Sequence, residues 1–440
     1  MFHRIVKPPF LNKLQWIHLG IGVLTISLLV LASVNILFTD DDWRFIIFLF
    51  ATSITGFAYH QYREQSEGVK NNGVWFGSLT SRGLLAWATA LGLTAFYCLL
   101  YWWPEYLGLN ASGNTGLIAL FDPLSMLLKK QAASQWFVYG VFYTLCILCF
   151  GYKFLLKYKH NKYQKLRTIS VMFFQLFFAF LIPEWMLRMN LPYNDLKNMW
   201  PLNYYFFDAW NIESFKSSGG MGWFFLVFGL LMIFVISPSL TYFFGKRWYC
   251  SWVCGCGGLA ETAGDPFRHL SDKSLKAWKL ERFLIYSILL FSIVMTAGVL
   301  YTYKTGQAEL FGISTAEMRK SYGFFIGAAF SGVIGVGFYP LLGSRVWCRF
   351  GCPMAAILGI QQRLFSRFRI TTNGGQCISC GNCSTYCEMG IDVRAYAQKG
   401  QNIVRASCVG CGICAAVCPR GVLKLENGSI DIFDRTPEKS

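Results

Sequence analysis

Eight of the sixteen cysteines in this 440-residue chain form two short runs near its C-terminus. Cys377, Cys380 and Cys383 are followed by Cys387, and Cys408, Cys411 and Cys414 by Cys418 and Pro419, so both runs share one spacing. Thiolates in such density bind metal. Structural zinc sites use separated pairs rather than runs of four, and disulfides are rare in a reducing cytoplasm. The small residues Gly381, Gly410, Gly412, Ala415 and Ala416 let backbone amides approach the sulfurs. The chemistry expected is one-electron transfer on 4Fe–4S clusters.

The spacing is that of bacterial two-cluster ferredoxins, in which the fourth cysteine of each run reaches the other cluster. On that pattern Cys377, Cys380, Cys383 and Cys418 hold one cluster, and Cys408, Cys411, Cys414 and Cys387 the other. Glu388 stands where the first run would carry proline, which bears on the local turn rather than on ligation.

A second cysteine system repeats itself. Gly245-Lys-Arg-Trp-Tyr-Cys250-Ser-Trp-Val-Cys254-Gly255-Cys256 is matched by Gly343-Ser-Arg-Val-Trp-Cys348-Arg-Phe-Gly-Cys352-Pro353. The two loops share a glycine, an arginine, an aromatic residue and a pair of cysteines. Duplicated membrane segments commonly meet on a pseudo-twofold axis that carries the functional site. A spacing of four places both sulfurs of a pair on one helix face. Cys250, Cys254, Cys348 and Cys352 then supply four thiolates to a third cluster, with Cys256 able to substitute for Cys254. The alternative is that these cysteines pack, or shape a docking surface for the ferredoxin module.

The elements that position them are membrane helices. Hydrophobic residues make up 54% of the chain and charged residues 14%, less charge than a soluble domain carries. About eight apolar spans of roughly 20 residues are expected, near 14–38, 43–60, 83–104, 136–156, 168–187, 221–244, 283–303 and 323–343. The first is too long for a signal-peptide core and lacks a small-residue cleavage site, so no cleavable signal is expected. Lys153, Lys157, Lys159, Lys162, Lys165 and Arg167 follow the fourth span. Lys246, Arg247, Arg268, Lys273, Lys276, Lys279 and Arg282 follow the sixth, whereas Asp40, Asp41 and Asp42 fill the first turn. The positive-inside rule puts both termini in the cytoplasm of a bacterial inner membrane. The net charge of +17 is thereby a topology signal, with anionic lipid headgroups as partners and no nucleic-acid motif. Trp102, Trp103, Trp136, Trp185 and Trp223 fall at outer span ends as an interfacial belt.

Over roughly residues 220–425 the chain resembles membrane polyferredoxins of the NapH, NosR and CcoG type, which carry two such cysteine loops after membrane spans and then a two-cluster ferredoxin domain. The stretch Cys387-Glu-Met-Gly-Ile-Asp-Val-Arg394 is similar to theirs. The family pattern has proline after the second cysteine of each loop, and here only Pro353 keeps it. The resemblance implies electron passage between the quinone pool, cytoplasmic clusters and an extracytoplasmic reductase or flavoprotein. Neither the soluble flavin-binding domain of the NosR type nor the extracytoplasmic domain of the CcoG type is expected, and the first five spans lie outside the resemblance.

Clusters confined to one side of a core about 30 Å thick cannot serve an outer partner without a mobile quinone or another cofactor. His18 and His60 stand at similar depth on neighbouring helices, an arrangement open to bis-histidine haem, although solvated or hydrogen-bonded histidines are the preferred reading. Cys98, Cys146 and Cys149 read as small apolar residues. Glu184, after Pro183, is open to accepting a proton from quinol, against a preferred reading in which it snorkels to the interface.

The expected protein is an α-helical polytopic membrane protein with a C-terminal α+β two-cluster ferredoxin domain. Its expected regions are 1–190 (N-terminal spans), 191–345 (duplicated spans and loops) and 346–440 (second cysteine loop and ferredoxin module). Its expected role is an electron-transfer subunit of a quinol-linked oxidoreductase system, partnered by quinone and other redox proteins. The rival is a redox sensor or a maturation factor for metal centres.

Overall fold

The computed structural model describes residues 11–34, 42–63, 79–307, 309–310 and 312–428. The long helices are α1 (Lys13–Ser33), α2 (Asp42–Tyr62), α3 (Leu84–Trp102), α4 (Gln135–Lys157), α5 (Lys162–Arg188), α6 (Gly219–Phe244) and α7 (Leu275–Thr305). Among the described residues six of them, all but α2, are long and apolar enough to cross a membrane. The chain is thus mostly helical and membrane-associated. The expected second span does form a helix, but Asp42, Arg44, His60 and Gln61 make α2 less apolar. The expected eighth span, 323–343, is helical over Gly323–Ile334 and again over Tyr339–Leu342. A turn at 335–338, with glycines at 335 and 337, separates the two pieces. Residues 35–38 of the expected first span lie outside the described residues.

Polar caps set where the helices start. Asn12 and Gln15 form a reciprocal capping box at α1, with bonds of 2.8 and 2.9 Å. Ser134 caps α4 through Phe137 N, Asn161 caps α5 through Gln164 N, and Ser274 caps α7 through Ala277 N. Each side-chain oxygen satisfies an amide that the helix leaves unpaired at its first turn.

The chain divides into two compact units, Met1–Asp195 with Gly258–Pro266, and Leu196–Gly257 with Phe267–Ser440. In the first unit α1 packs on α2 at small residues: a methyl group on Gly22 would overlap Ser53, and one on Gly56 would overlap the His18 ring. The inserted segment is held by charge. Arg167, fully buried, pairs with Glu261, and Lys157 lies 2.6 Å from Asp265 with Lys153 at 3.8 Å.

In the second unit α8 (Pro353–Phe365) follows the second cysteine loop and leads into strand β1 (Phe368–Thr372). β1 pairs antiparallel with β2 (Leu423–Asn427), Phe368 opposite Asn427 and Thr372 opposite Leu423, so the ferredoxin segment is closed at its base by its own two ends. The core of this unit gathers Phe368, Ile370, Ile391, Val393, Val422 and Leu423 around the cysteines.

Candidate iron–sulfur centres

The C-terminal runs build two small cavities. One is lined by Cys377, Cys380, Cys383 and Cys418, the other by Cys387, Cys408, Cys411 and Cys414. Each cavity therefore takes three sulfurs from one run and the fourth from the other. Local geometry explains how. After the second cysteine of each run a left-handed glycine, Gly381 (φ 79°) or Gly412 (φ 75°), turns the chain into a one-turn helix, Asn382–Thr385 or Ile413–Ala416. That helix carries the third cysteine inward. The fourth then leaves in a turn closed by Gly390 N to Cys387 O (3.1 Å) or Gly421 N to Cys418 O (3.3 Å). The turn at Glu388 forms despite the missing proline.

Glu388 has a different task. Its carboxylate is fully buried between two fully buried guanidiniums, 2.9 Å from Arg268 and 3.1 Å from Arg345, and Ser271 Oγ donates to its carbonyl at 2.7 Å. Arg345 in turn donates to Cys250 O (3.1 Å) and Cys348 Sγ (3.5 Å). One buried charge network thus joins both membrane loops to the residue beside Cys387. A second buried pair, Arg349 to Glu281 at 2.8 Å, lies next to it, and Glu281 also accepts from Ser407, the neighbour of Cys408.

The two membrane loops begin alike. Gly245 (φ 66°, ψ 179°) and Gly343 (φ 96°, ψ 169°) end the preceding helices in a conformation that favours glycine. The expectation of a cysteine pair on one continuous helix face is corrected. Cys250 closes a short helix, Arg247–Cys250, and Cys348 sits in a wide helical turn, Trp347–Gly351. Cys254 and Cys352 each stand just before the next helix, and each sulfur accepts from the amide three residues on, Gly257 N and Ala355 N. Cys352 is the N-cap of α8, with Pro353 in its first turn. A helix N-terminus favours a thiolate, so each loop contributes one cysteine from a helical turn and one from a cap.

Cys250, Cys254, Cys348 and Cys352 are all buried in one core, with Cys256 packed against it. They lie close enough to raise one another's thiols, and burial pushes Cys250 up to about 12. Cys254 goes the other way, because Cys256 donates its S–H to it and Lys197 and Gly257 N–H add to the effect, while the Cys256 thiol is raised. In the ferredoxin runs burial pushes Cys387 up to about 11 and holds Cys414 well above a free thiol. A cationic metal centre would favour the thiolate form of the raised thiols. Four soft donors line each cavity, and in the second the amides of Met389, Ile391 and Gly410 are directed at Cys387 and Cys408, a donor set that fits an iron–sulfur cluster.

Other marked residues are placed elsewhere. The His18 and His60 rings stack with centroids 5.4 Å apart. Glu184 is buried and pairs with Lys129 Nζ at 3.5 Å. Sequence reading missed Lys129 because it comes from a separate short helix, Asp122–Lys129. Cys146 and Cys149 both lie on α4, where Cys149 is buried.

Comparison with known proteins agrees with the cysteine geometry. Residues 376–423 match the model of a 4Fe-4S dicluster domain. A second family model, a 4Fe-4S binding domain, matches twice, at 226–274 and 324–371, once over each membrane loop. The chain thus carries 4Fe-4S ferredoxin-type domains together with helices long and apolar enough to cross a membrane. Among relatives, it is 26% identical over 172 residues to "Putative electron transport protein YccM" of Escherichia coli (strain K12), which covers 37% of this chain and 46% of that one. It is 28% identical over 161 residues to "Methylamine utilization ferredoxin-type protein MauN" of Methylobacillus flagellatus, covering 35% and 52%. The chain spans about half the length of the curated relatives it matches. No solved structure matches it. Iron–sulfur electron transfer is the function these matches support.

Proposed function

We propose that this chain is a membrane-bound electron relay carrying three 4Fe–4S clusters. Cys377, Cys380, Cys383 and Cys418 hold the first, Cys387, Cys408, Cys411 and Cys414 the second, and Cys250, Cys254, Cys348 and Cys352 the third. When bound, such clusters accept and release single electrons at potentials set by hydrogen bonds and burial. The observation that carries this reading is that one contiguous core holds all five loop cysteines and every ferredoxin cysteine except Cys380. Only about two dozen residues separate Cys352 from Cys377, so the module stays at high effective concentration beside the loops. Electrons enter at the loop cysteines from quinol or a membrane partner and leave from the ferredoxin cysteines to another redox protein. The entry centre then draws Cys250 and Cys254 from region 191–345 and Cys348 and Cys352 from region 346–440, which also carries the exit clusters.

Two expected results test this reading. In quinol-reduced membranes, Cys348→Ser should leave the ferredoxin centres assembled but slow to reduce, and Cys408→Ser should block passage to the soluble acceptor while the loop centre still reduces. Ferredoxin centres that reduce as fast in Cys348→Ser as in the parent would remove the loops from the path. For sidedness, reporter fusions at the C-terminus should behave as cytoplasmic and fusions near Asn211 as extracytoplasmic, as the basic loops require. A C-terminal reporter active outside would reverse the topology.

A further inference from the structure

A cavity of about 470 Å³ opens in the second unit beside the first three turns of α7. Its other walls are the Cys348 loop, the segment after Cys387 and the segment just before Cys408. Six cationic side chains line it against two carboxylates. Both carboxylates are already committed. Glu281 pairs with Arg349, and Asp392 accepts from Ser384 Oγ at 2.7 Å and caps the helix Val393–Gln398.

Two of the cations lie against the same indole. The guanidinium carbons of Arg282 and Arg405 lie 5.1 and 5.0 Å from the centroid of the Trp278 ring. Among the described residues neither has a carboxylate within ion-pair distance. Two like charges brought to one ring repel, and cation–π attraction offsets this only weakly. An anion in the cavity that reaches both would offset the repulsion, and the guanidinium fork suits phosphate oxygens.

The position selects the source of the phosphate. Arg282 belongs to a membrane-crossing helix, and Leu275, Leu280 and Phe283 stand exposed on that helix around the cavity's level. A phosphate held there would have acyl chains continuing along α7. Basic pockets at the ends of membrane helices take anionic headgroups. We infer that this cavity binds the headgroup of an anionic phospholipid, held by Arg282 of α7 and Arg405 of the ferredoxin module. The lipid thereby fastens the module to the span beside Cys348 and Cys408. The inference does not depend on the electron path or on the number of clusters.

The test is native mass spectrometry of the full-length protein released from nanodiscs of phosphatidylcholine with and without phosphatidylglycerol. Iron content and visible absorbance serve as the check of folding. The parent should retain phosphatidylglycerol in preference to phosphatidylcholine. Arg282→Gln and Arg405→Gln should each lower that retention about tenfold or more, since a hydrogen bond to a charged group contributes about 1.5–3 kcal/mol. The double variant should lose little further, because both side chains hold one headgroup. The variants lie on different segments, so a folding failure in one leaves the other to decide. Retention unchanged in both, or equal retention of phosphatidylcholine, overturns the site. Displacement of the lipid by inorganic phosphate alone overturns the lipid in favour of a soluble anion.

Discussion

Replacing Glu388 with alanine should destabilise the second unit by about 3–5 kcal/mol, because breaking a buried ion pair from one side leaves charge buried without its partner. The carboxylate serves Arg268 and Arg345 together, and all three side chains are fully shielded from solvent. Arg345 is also the side chain that reaches Cys250 O and Cys348 Sγ. Its release should loosen both membrane loops along with the turn after Cys387. The measurements are thermal unfolding of the purified protein and iron per chain. Glu388→Gln, which keeps hydrogen-bonding capacity but not charge, should fall between alanine and the parent. A Glu388→Ala protein with unchanged melting and full iron would show that the two guanidiniums do not need this carboxylate.

The second large effect concerns iron. Three clusters require about twelve irons per chain, and a Cys348→Ser, Cys352→Ser double variant should lose about four of them. The ferredoxin pair should remain, because none of its eight cysteines comes from either membrane loop. Cys256→Ser should retain full iron, since the hydrogen bond from Cys256 makes Cys254 the more readily ionised sulfur. An unchanged iron count in the double variant would leave two clusters and return the loop cysteines to packing.

The ferredoxin half was legible because its information is local. A spacing of two, two and three residues, with glycines before the inward-turning helices, is written in consecutive residues. The charge network was not, because Arg268, Arg345 and Glu388 come from distant parts of the chain. Glu388 was visible only as a residue out of pattern, and its reason lay in partners that no spacing rule connects. The helix-face reading of the loop cysteines failed at a signal that was present. Pro353 is a helix-start residue, suited to the first turn where no amide partner is needed, and it marks Cys352 as a cap. The expected second and eighth spans show the limit of counting apolar runs. Polar residues in α2 and the glycines near 335 shorten the uninterrupted apolar helix without lowering the overall apolar content much.

The exchange of the fourth cysteine has a consequence for the order of biosynthesis. The cavity begun by Cys377 waits for Cys418, and the one begun by Cys387 waits for Cys408, Cys411 and Cys414. The strand that closes the base, Leu423–Asn427, comes later still. A ribosome must therefore translate past residue 427 before either cavity is enclosed, by which time α1–α7 have already left the exit tunnel. Neither site of the C-terminal module can then be completed by its first run of cysteines alone. A chain truncated just after Cys414 would lack Cys418 from one site and the closing strand from both.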